Sequence, residues 1–173
     1  MPIQPDRAAS EDAAKEAALR ILGRGPRTER EVLDRLLARG FVPDAVERAV
    51  ERLRRVSLLD DRAFVRSFLR VEVARKPQGK RLLRATLKRR GIAPSLLEEL
   101  DDLVAEDPDL MERELHTEEG RARAALSQIE RRGRGVPGPV RSRKLAGALL
   151  RRGFDWSVVR DLVSGPEEKS EPL

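Results

Sequence analysis

Residues 57–92 read SLLDDRAFVRSFLRVEVARKPQGKRLLRATLKRRGI, and this stretch contains the pattern that decides the fold. Asp60 stands before a first helical pattern, Pro77 and Gly79 interrupt the chain, and Gly91 ends a second pattern. Apolar residues recur every three or four positions in both patterns, as they do along the buried face of a helix. Eleven Arg and Lys residues against three acidic ones give a net charge of +8. We therefore expect a basic helical unit that carries much of the function.

Parts of the same plan recur on both sides of this stretch. Gly40, Gly91 and Gly153 each follow an arginine and precede a large apolar residue. Aliphatic residues lie four and eight positions before each glycine, and a candidate helix N-cap lies four positions after it. A glycine C-cap followed by an apolar residue joins two helices at a corner, and a preceding helix closes a three-helix core. The candidate caps are Asp44, Ser95 and Ser157.

The repeated corner predicts an all-α protein made of three tandem three-helix repeats. The alternation typical of strands is absent, and repeats in series form an elongated array. The intervals between the corners are too long for HEAT or armadillo repeats. The expected boundaries are a disordered N-terminus at 1–9, repeats at 10–59, 60–106 and 107–164, and a disordered tail at 165–173.

The composition argues against an enzyme. The chain has one histidine, no cysteine and no tyrosine, and its carboxylates lie among other charges on helical patterns. Acid–base and nucleophilic catalysis depend on such side chains, or on carboxylates in apolar pockets. We therefore expect no catalytic residue, no metal site and no cofactor. The sequence also lacks a membrane-spanning run and a signal-peptide pattern, which predicts a cytoplasmic protein.

The net charge of +6 is unevenly distributed. Two basic blocks, residues 60–92 at +8 and 120–152 at +9, flank residues 93–119 at −10. The acidic stretch 106–119 is either a self-masking element for the basic repeats or a solvated spacer. Thirty of the 36 cations are arginine, which is typical of a GC-rich genome and also suits bidentate recognition of phosphate and carboxylate.

The sequence contains six short motifs. No single one of them is specific to a family, but their order and spacing together are. The motifs are Arg27-Thr28-Glu29-x-Glu31, Leu36-x-x-Arg39-Gly40-Phe41, Leu59-Asp60-Asp61-x-x-Phe64, Lys76-Pro77-x-Gly79 with Arg81-Leu82, Leu87-x-x-Arg90-Gly91-Ile92 and Arg152-Gly153-Phe154. Together they make residues 12–163 resemble the RecX family, the bacterial regulators of the RecA recombinase. The stretch 106–119 and the loop GRGVPGPV depart from the family pattern, so the third repeat is the weakest match.

The resemblance implies an elongated, curved right-handed array of the three repeats. It also implies a protein without enzymatic activity that binds in the groove of RecA filaments on DNA and limits strand exchange, ATP hydrolysis and coprotease activity. Such a protein acts in DNA repair, DNA recombination and the SOS response. The expected partners are the RecA filament and DNA, single- or double-stranded, bound weakly and without sequence preference. We expect a monomer with no membrane partner. A tandem helix-turn-helix protein that binds DNA is the alternative.

The middle repeat has the first set of candidate partner-binding residues. On a helix with Leu83 and Leu87 inward, Arg81, Arg84 and Lys88 lie together on the opposite side. The positions equivalent to Arg84 and Lys88 are apolar in the other repeats, so we favour a partner site here over a solvated face.

A second basic stripe is formed by Arg62, Arg66 and Arg70, for which a solvated face is an equal alternative. Trp156 is predicted to close the terminal core rather than to stack on a base, and His116 is too isolated to be a metal ligand. An arginine occupies the position of Arg152 in each of the three corners, so we assign Arg152 to the fold. The remaining candidates for partner binding are Lys80, Arg141, Arg143, Lys144 and Arg151.

Overall fold

The structure, a computed structural model, describes residues 4–132 and 138–163. In these ranges it contains twelve helices and no strand, which confirms the all-α prediction. None of these helices has the length and apolar character needed to cross a membrane. The predicted tail at 165–173 lies outside the described residues. The helices are α1 (Pro5–Ala8), α2 (Glu11–Leu22), α3 (Glu29–Leu37), α4 (Pro43–Arg55), α5 (Asp61–Arg75), α6 (Lys80–Arg89), α7 (Pro94–Glu98), α8 (Leu100–Ala105), α9 (Pro108–Glu112), α10 (Glu118–Arg132), α11 (Gly138–Arg151) and α12 (Trp156–Val163).

The chain divides into two compact units. The first unit consists of the residues up to Val65 together with Leu87–Leu97, and the second consists of Arg66–Thr86 together with the residues from Glu98 onward. The division falls inside α5, α6 and α7, so these units differ from the three predicted repeats. The repeat boundaries stay a prediction.

The first unit has its core between α2, α3 and α4. Small alanines of α2 let the helices approach closely, and the apolar stripes of α3 and α4 fill the space between them. Ser10 accepts a hydrogen bond from the N–H of Ala13 at 3.2 Å, so it caps α2. Thr28 and Glu31 form a reciprocal capping box at the start of α3. The fully buried residues of this core include Ala14, Ala18, Val32, Leu36, Ala45, Ala49 and Leu53.

The three glycine corners have the same geometry. Gly40, Gly91 and Gly153 adopt φ angles of 88°, 85° and 81°, in the region that favours glycine. The next residue is buried in each case, and its N–H donates to a carbonyl five residues earlier. This is the Schellman motif, so the repeated corner predicted from the sequence is confirmed. The bonds are Phe41 to Leu36 at 3.3 Å, Ile92 to Leu87 at 3.2 Å and Phe154 to Leu149 at 3.4 Å.

The second unit contains a core formed by α10, α11 and α12. Ala122, Ala125, Leu149, Phe154 and Val159 are buried in it. The Lys-Pro-x-Gly turn before α6 contacts the last corner, because the N–H of Gly79 donates to the carbonyl of Arg152 at 3.0 Å. A Cβ at Gly79 would lie 2.1 Å from the carbonyl oxygen of Gly153, so only glycine fits there.

Two predictions about helix starts are wrong. Residues 5–8 form α1 instead of a disordered segment, because Pro5 suits the first helical position and Ala8 is buried. The candidate caps Asp44, Ser95 and Ser157 all lie inside their helices, which begin at Pro43, Pro94 and Trp156. Proline at the first helical position has a φ already suited to the helix, so α4 and α7 begin before the predicted caps.

The acidic region consists of short helices separated by breaks. Helices α7 and α8 are separated at Glu99, and α9 ends at Glu112, before Gly120. Glu114 has a φ of 56°, which is incompatible with a continuous helix. Asp60 caps α5 as predicted, because its Oδ1 accepts from the N–H of Ala63 at 2.9 Å.

Candidate functional site

Arg90, which precedes the middle corner, is a structural residue of the first unit. Its Nε and Nη2 donate to the two carboxylate oxygens of Glu31 at 2.7 and 3.1 Å, and its guanidinium lies 4.5 Å from the centroid of the Phe64 ring. The Thr28 hydroxyl donates to the Arg90 carbonyl at 2.6 Å. Burial raises the pKa of Glu31, but the hydrogen bond and charge of Arg90 outweigh burial, so this pKa lies below its ordinary value.

The predicted stripe on α5 is exposed, and its members have different environments. Arg62, in the first unit, and Arg66 and Arg70, in the second, are all exposed. Arg70 Nε contacts Asp107 Oδ2 at 2.8 Å and Asp109 Oδ2 at 3.3 Å, and Asp107 raises the pKa of Arg70. The other carboxylate oxygen of Asp107 accepts two backbone N–H groups at the start of α9. Arg70 therefore holds a helix cap in place.

A small cleft lies beside this ion pair in the second unit. Its volume is about 230 Å³. Polar and apolar side chains share its lining, and the two arginines of α5 face two carboxylates of the acidic region across it. We therefore regard it as part of the Arg70–Asp107 contact. The lining residues are Arg66, Arg70, Leu103, Glu106, Asp107 and Pro108.

The three favoured cations of α6 also differ in their contacts. Arg84 Nη2 forms an ion pair with Asp101 Oδ2 at 2.8 Å, and its Nε is buried with no hydrogen-bond acceptor among the residues that the structure describes. Arg81 is exposed, and its Nη2 donates to the Leu150 carbonyl at 3.4 Å. Lys88 belongs to the first unit, is exposed, and forms no hydrogen bond or ion pair with the described residues. A common partner-binding role for the three stays a prediction.

Among the remaining candidates, Lys80 forms ion pairs, whereas others are exposed and unpaired within the described part of the chain. Lys80 Nζ lies 3.2 Å from Asp155 Oδ2 and 4.0 Å from Glu118 Oε2, and Asp155 raises the pKa of Lys80. The side chain of Arg141 lies outside the described residues. Five of the candidate residues are exposed and form no hydrogen bond or ion pair with any described residue: Arg66, Lys88, Arg143, Lys144 and Arg151.

Arg121 is a buried cation that the sequence pattern does not reveal. It is 4% exposed and donates to the carbonyls of Gln78 at 3.0 Å, Leu115 at 3.1 Å and His116 at 3.2 Å. Burial lowers its pKa. In a chain with 30 arginines, nothing local distinguishes this one from the exposed arginines around it. Its role is to satisfy carbonyls of two loops.

Trp156 contradicts the prediction that it closes the terminal core. Its side chain is 59% exposed, whereas Phe154 is 1% exposed and fills the core instead. The physical reason is position. Trp156 is the first residue of α12 and lies two positions after Phe154, the residue that the corner directs inward.

Two family models match the chain, describing the first three-helix domain of RecX over residues 14–53 and the second over residues 60–100. The chain is 33% identical to the regulatory protein RecX of Halorhodospira halophila over 164 residues, which cover 94% of each protein. The chain belongs to the RecX family. It is also 31% identical to the regulatory protein RecX of Pelodictyon phaeoclathratiforme, over 90% of this chain and 92% of that relative.

Solved structures support the same fold. A crystal structure of RecX from Lactobacillus salivarius superposes with a TM-score of 0.70 at 19% identity, covering 93% of this chain and 96% of that one. A second RecX crystal structure gives a TM-score of 0.70 at 24% identity, covering 92% and 73%. These structures confirm the helical repeat fold, whereas the family models and the relatives confirm the RecX family resemblance carried by the six motifs.

Proposed function

We propose that this RecX-family chain is a negative regulator of the RecA recombinase that binds in the groove of RecA–DNA filaments. There it inhibits strand exchange, ATP hydrolysis and coprotease activity, and so acts in the cytoplasm on DNA repair, recombination and the SOS response. The observation that carries the proposal is the similarity to a curated RecX regulatory protein over 94% of both chains. The protein acts by binding, as a monomer, and performs no catalysis.

The surface chemistry supports this binding role. Arginine and lysine side chains that are exposed and not already paired bind carboxylates or phosphates without first breaking an internal contact. Lys88 of α6 and Arg143 and Lys144 of α11 meet this description within the described part of the chain. Arg81 is nearly as accessible, since its one described contact is the 3.4 Å bond to a carbonyl. We assign filament binding to these exposed cations.

The proposal is tested by measuring RecA ATP hydrolysis on single-stranded DNA as this protein is added. The double variant Arg81→Glu/Lys88→Glu removes two exposed cations of α6 and leaves the Arg84–Asp101 pair intact. We expect it to need about tenfold more protein for half-inhibition, which corresponds to roughly 1.4 kcal/mol of lost binding. Its helicity and melting temperature should match those of the unchanged protein, because both side chains are exposed.

A matched control is Arg35→Glu/Arg39→Glu, which changes the net charge equally at two exposed arginines of the first unit. It should inhibit like the unchanged protein. Equal weakening of both variants would attribute the effect to net charge alone. If the unchanged protein left RecA hydrolysis and strand exchange unaffected while binding one DNA sequence tightly, a helix-turn-helix DNA-binding function would replace the proposal. Binding by phosphate contacts alone would weaken ~10³-fold or more between low and moderate salt.

A further inference from the structure

Trp156 is an exposed aromatic side chain in a protein that has few aromatics. The chain has one tryptophan, four phenylalanines and no tyrosine. Three of the phenylalanines are buried and Phe68 is half-buried, whereas Trp156 is 59% exposed. An indole presents a large flat apolar face, and its exposure forgoes the stabilisation that burial would bring. This exposure therefore needs an explanation.

The fold does not explain the tryptophan. Trp156 lies three residues after Gly153, and the equivalent residues after Gly40 and Gly91 are Pro43 and Pro94. Each of the three begins the helix that follows its corner. Proline is favourable at this position, so the corner forms without an aromatic residue. Only the last of the three corners has a tryptophan at this position.

Three cations of the second unit contact or belong to the corner that leads into α12. Asp155, the residue before Trp156, contacts Lys80 at 3.2 Å. Arg81 is held close to the same corner by its 3.4 Å hydrogen bond to the Leu150 carbonyl. Arg151, in the last turn of α11, is exposed and has no hydrogen bond or ion pair to the described residues. Asp155 and Glu118, whose Oε2 lies 4.0 Å from Lys80 Nζ, share the charge of Lys80, so Arg81 and Arg151 are the cations that the corner leaves to a ligand.

We propose that this corner binds single-stranded nucleic acid, with one base stacked on Trp156 and flanking phosphates on Arg81 and Arg151. Non-specific single-strand sites combine stacking aromatics with a cationic track, and the stacking tolerates any base. Duplex bases are already stacked on one another, so the indole selects the single strand. The inference deepens the proposed function, because it names a nucleic-acid contact for a protein acting on RecA–DNA filaments.

The test uses the full chain and an oligo-dT strand, with no RecA present. Trp156 is the sole tryptophan and tyrosine is absent, so the intrinsic fluorescence reports on this corner alone. Stacking of thymine on the indole should quench the fluorescence in a saturable manner. In a parallel anisotropy titration with end-labelled oligo-dT, Trp156→Ala should weaken binding about tenfold and Trp156→Phe should keep most of it. Arg151→Ala should weaken binding and flatten its salt dependence.

The matched control is Val71→Ala, which removes another exposed apolar side chain of the second unit and should bind like the unchanged protein. Melting temperatures of all variants should agree, since each altered side chain is exposed. Binding of oligo-dT without quenching, or unchanged affinity in Trp156→Ala, would overturn the inference. Equal quenching by a duplex would exclude stacking, and quenching by RecA without DNA would identify a protein contact instead. None of these results touches the ATP hydrolysis test, so the two proposals fail separately.

Discussion

Replacing Arg121 by methionine is expected to destabilise the protein strongly. Methionine keeps the unbranched apolar stem but removes the guanidinium that donates to the carbonyls of Gln78, Leu115 and His116. Two of these hydrogen bonds are buried and the third is partly buried. The variant leaves the three acceptors in place without their donor, so the cost arises from polar groups that lose their partner inside the protein.

The magnitude follows from the number of orphaned acceptors. A buried polar group left without a partner costs ~1–3 kcal/mol, and the third carbonyl recovers part of its hydrogen bonding from water. Part of this cost is offset, because the substitution also removes a buried charge. The desolvation of Arg121 is unfavourable, as its lowered pKa indicates. The net loss in the free energy of unfolding is about 3 kcal/mol, which for a chain of this size lowers the melting temperature by roughly 6–12 °C.

Thermal melting followed by circular dichroism measures the effect. Arg123→Met is the matched control, because Arg123 lies two residues further along α10 and is exposed. It should change the free energy of unfolding by less than ~0.5 kcal/mol. If Arg121→Met melted at the same temperature as Arg123→Met, the three carbonyl contacts would contribute nothing to stability and the reasoning would be wrong.

Two further predictions concern the last corner, in the second unit, and the Glu31–Arg90 ion pair, in the first unit. Gly153→Ala should lose at least ~2 kcal/mol in urea unfolding, because φ is 81° and the new Cβ would lie 2.5 Å from the Leu82 Cβ. Glu31→Gln should lower the free energy of unfolding at pH 7, because the variant lacks the charged partner of Arg90. The difference from the unchanged protein should shrink as the pH falls below 4.5, the ordinary pKa, because Glu31 of the unchanged protein then becomes protonated and loses its ion pair. The contribution of Glu31 to stability decreases as the pH falls, because its pKa is lower in the folded protein than in the unfolded chain.

Each of these has a control in the same chain. Gly147→Ala lies inside α11, where a Cβ would contact only the Arg151 side chain at 3.4 Å, and it should stabilise by ~0.5–1 kcal/mol. Equal effects of the two glycine substitutions would refute the argument from φ and crowding. Glu47→Gln changes an exposed carboxylate of α4 that forms no ion pair with the described residues, and it should change the free energy of unfolding by less than ~0.5 kcal/mol. A deficit of Glu31→Gln that persisted at pH 3 would show that the ion pair is not its source.

The sequence by itself determined the local structure of this protein. The Thr28–Glu31 capping box, the Asp60 cap and the three glycine corners were all predictable, because each is decided by hydrogen bonds among residues close in the chain. The helix starts after the corners were misplaced, since cap residues and proline compete for neighbouring positions and the pattern does not say which prevails.

Only the tertiary structure decided which charged residues remain available to a partner. Arg70 and Arg84 look as free in the sequence as Lys88, yet they pair with Asp107 and Asp101, 37 and 17 residues away. The sequence also did not reveal that Arg121 is buried and that Trp156 is exposed. Helical periodicity says which face of a helix a residue is on, but it does not say what packs against that face. That depends on contacts between distant segments, which form only when the chain is folded.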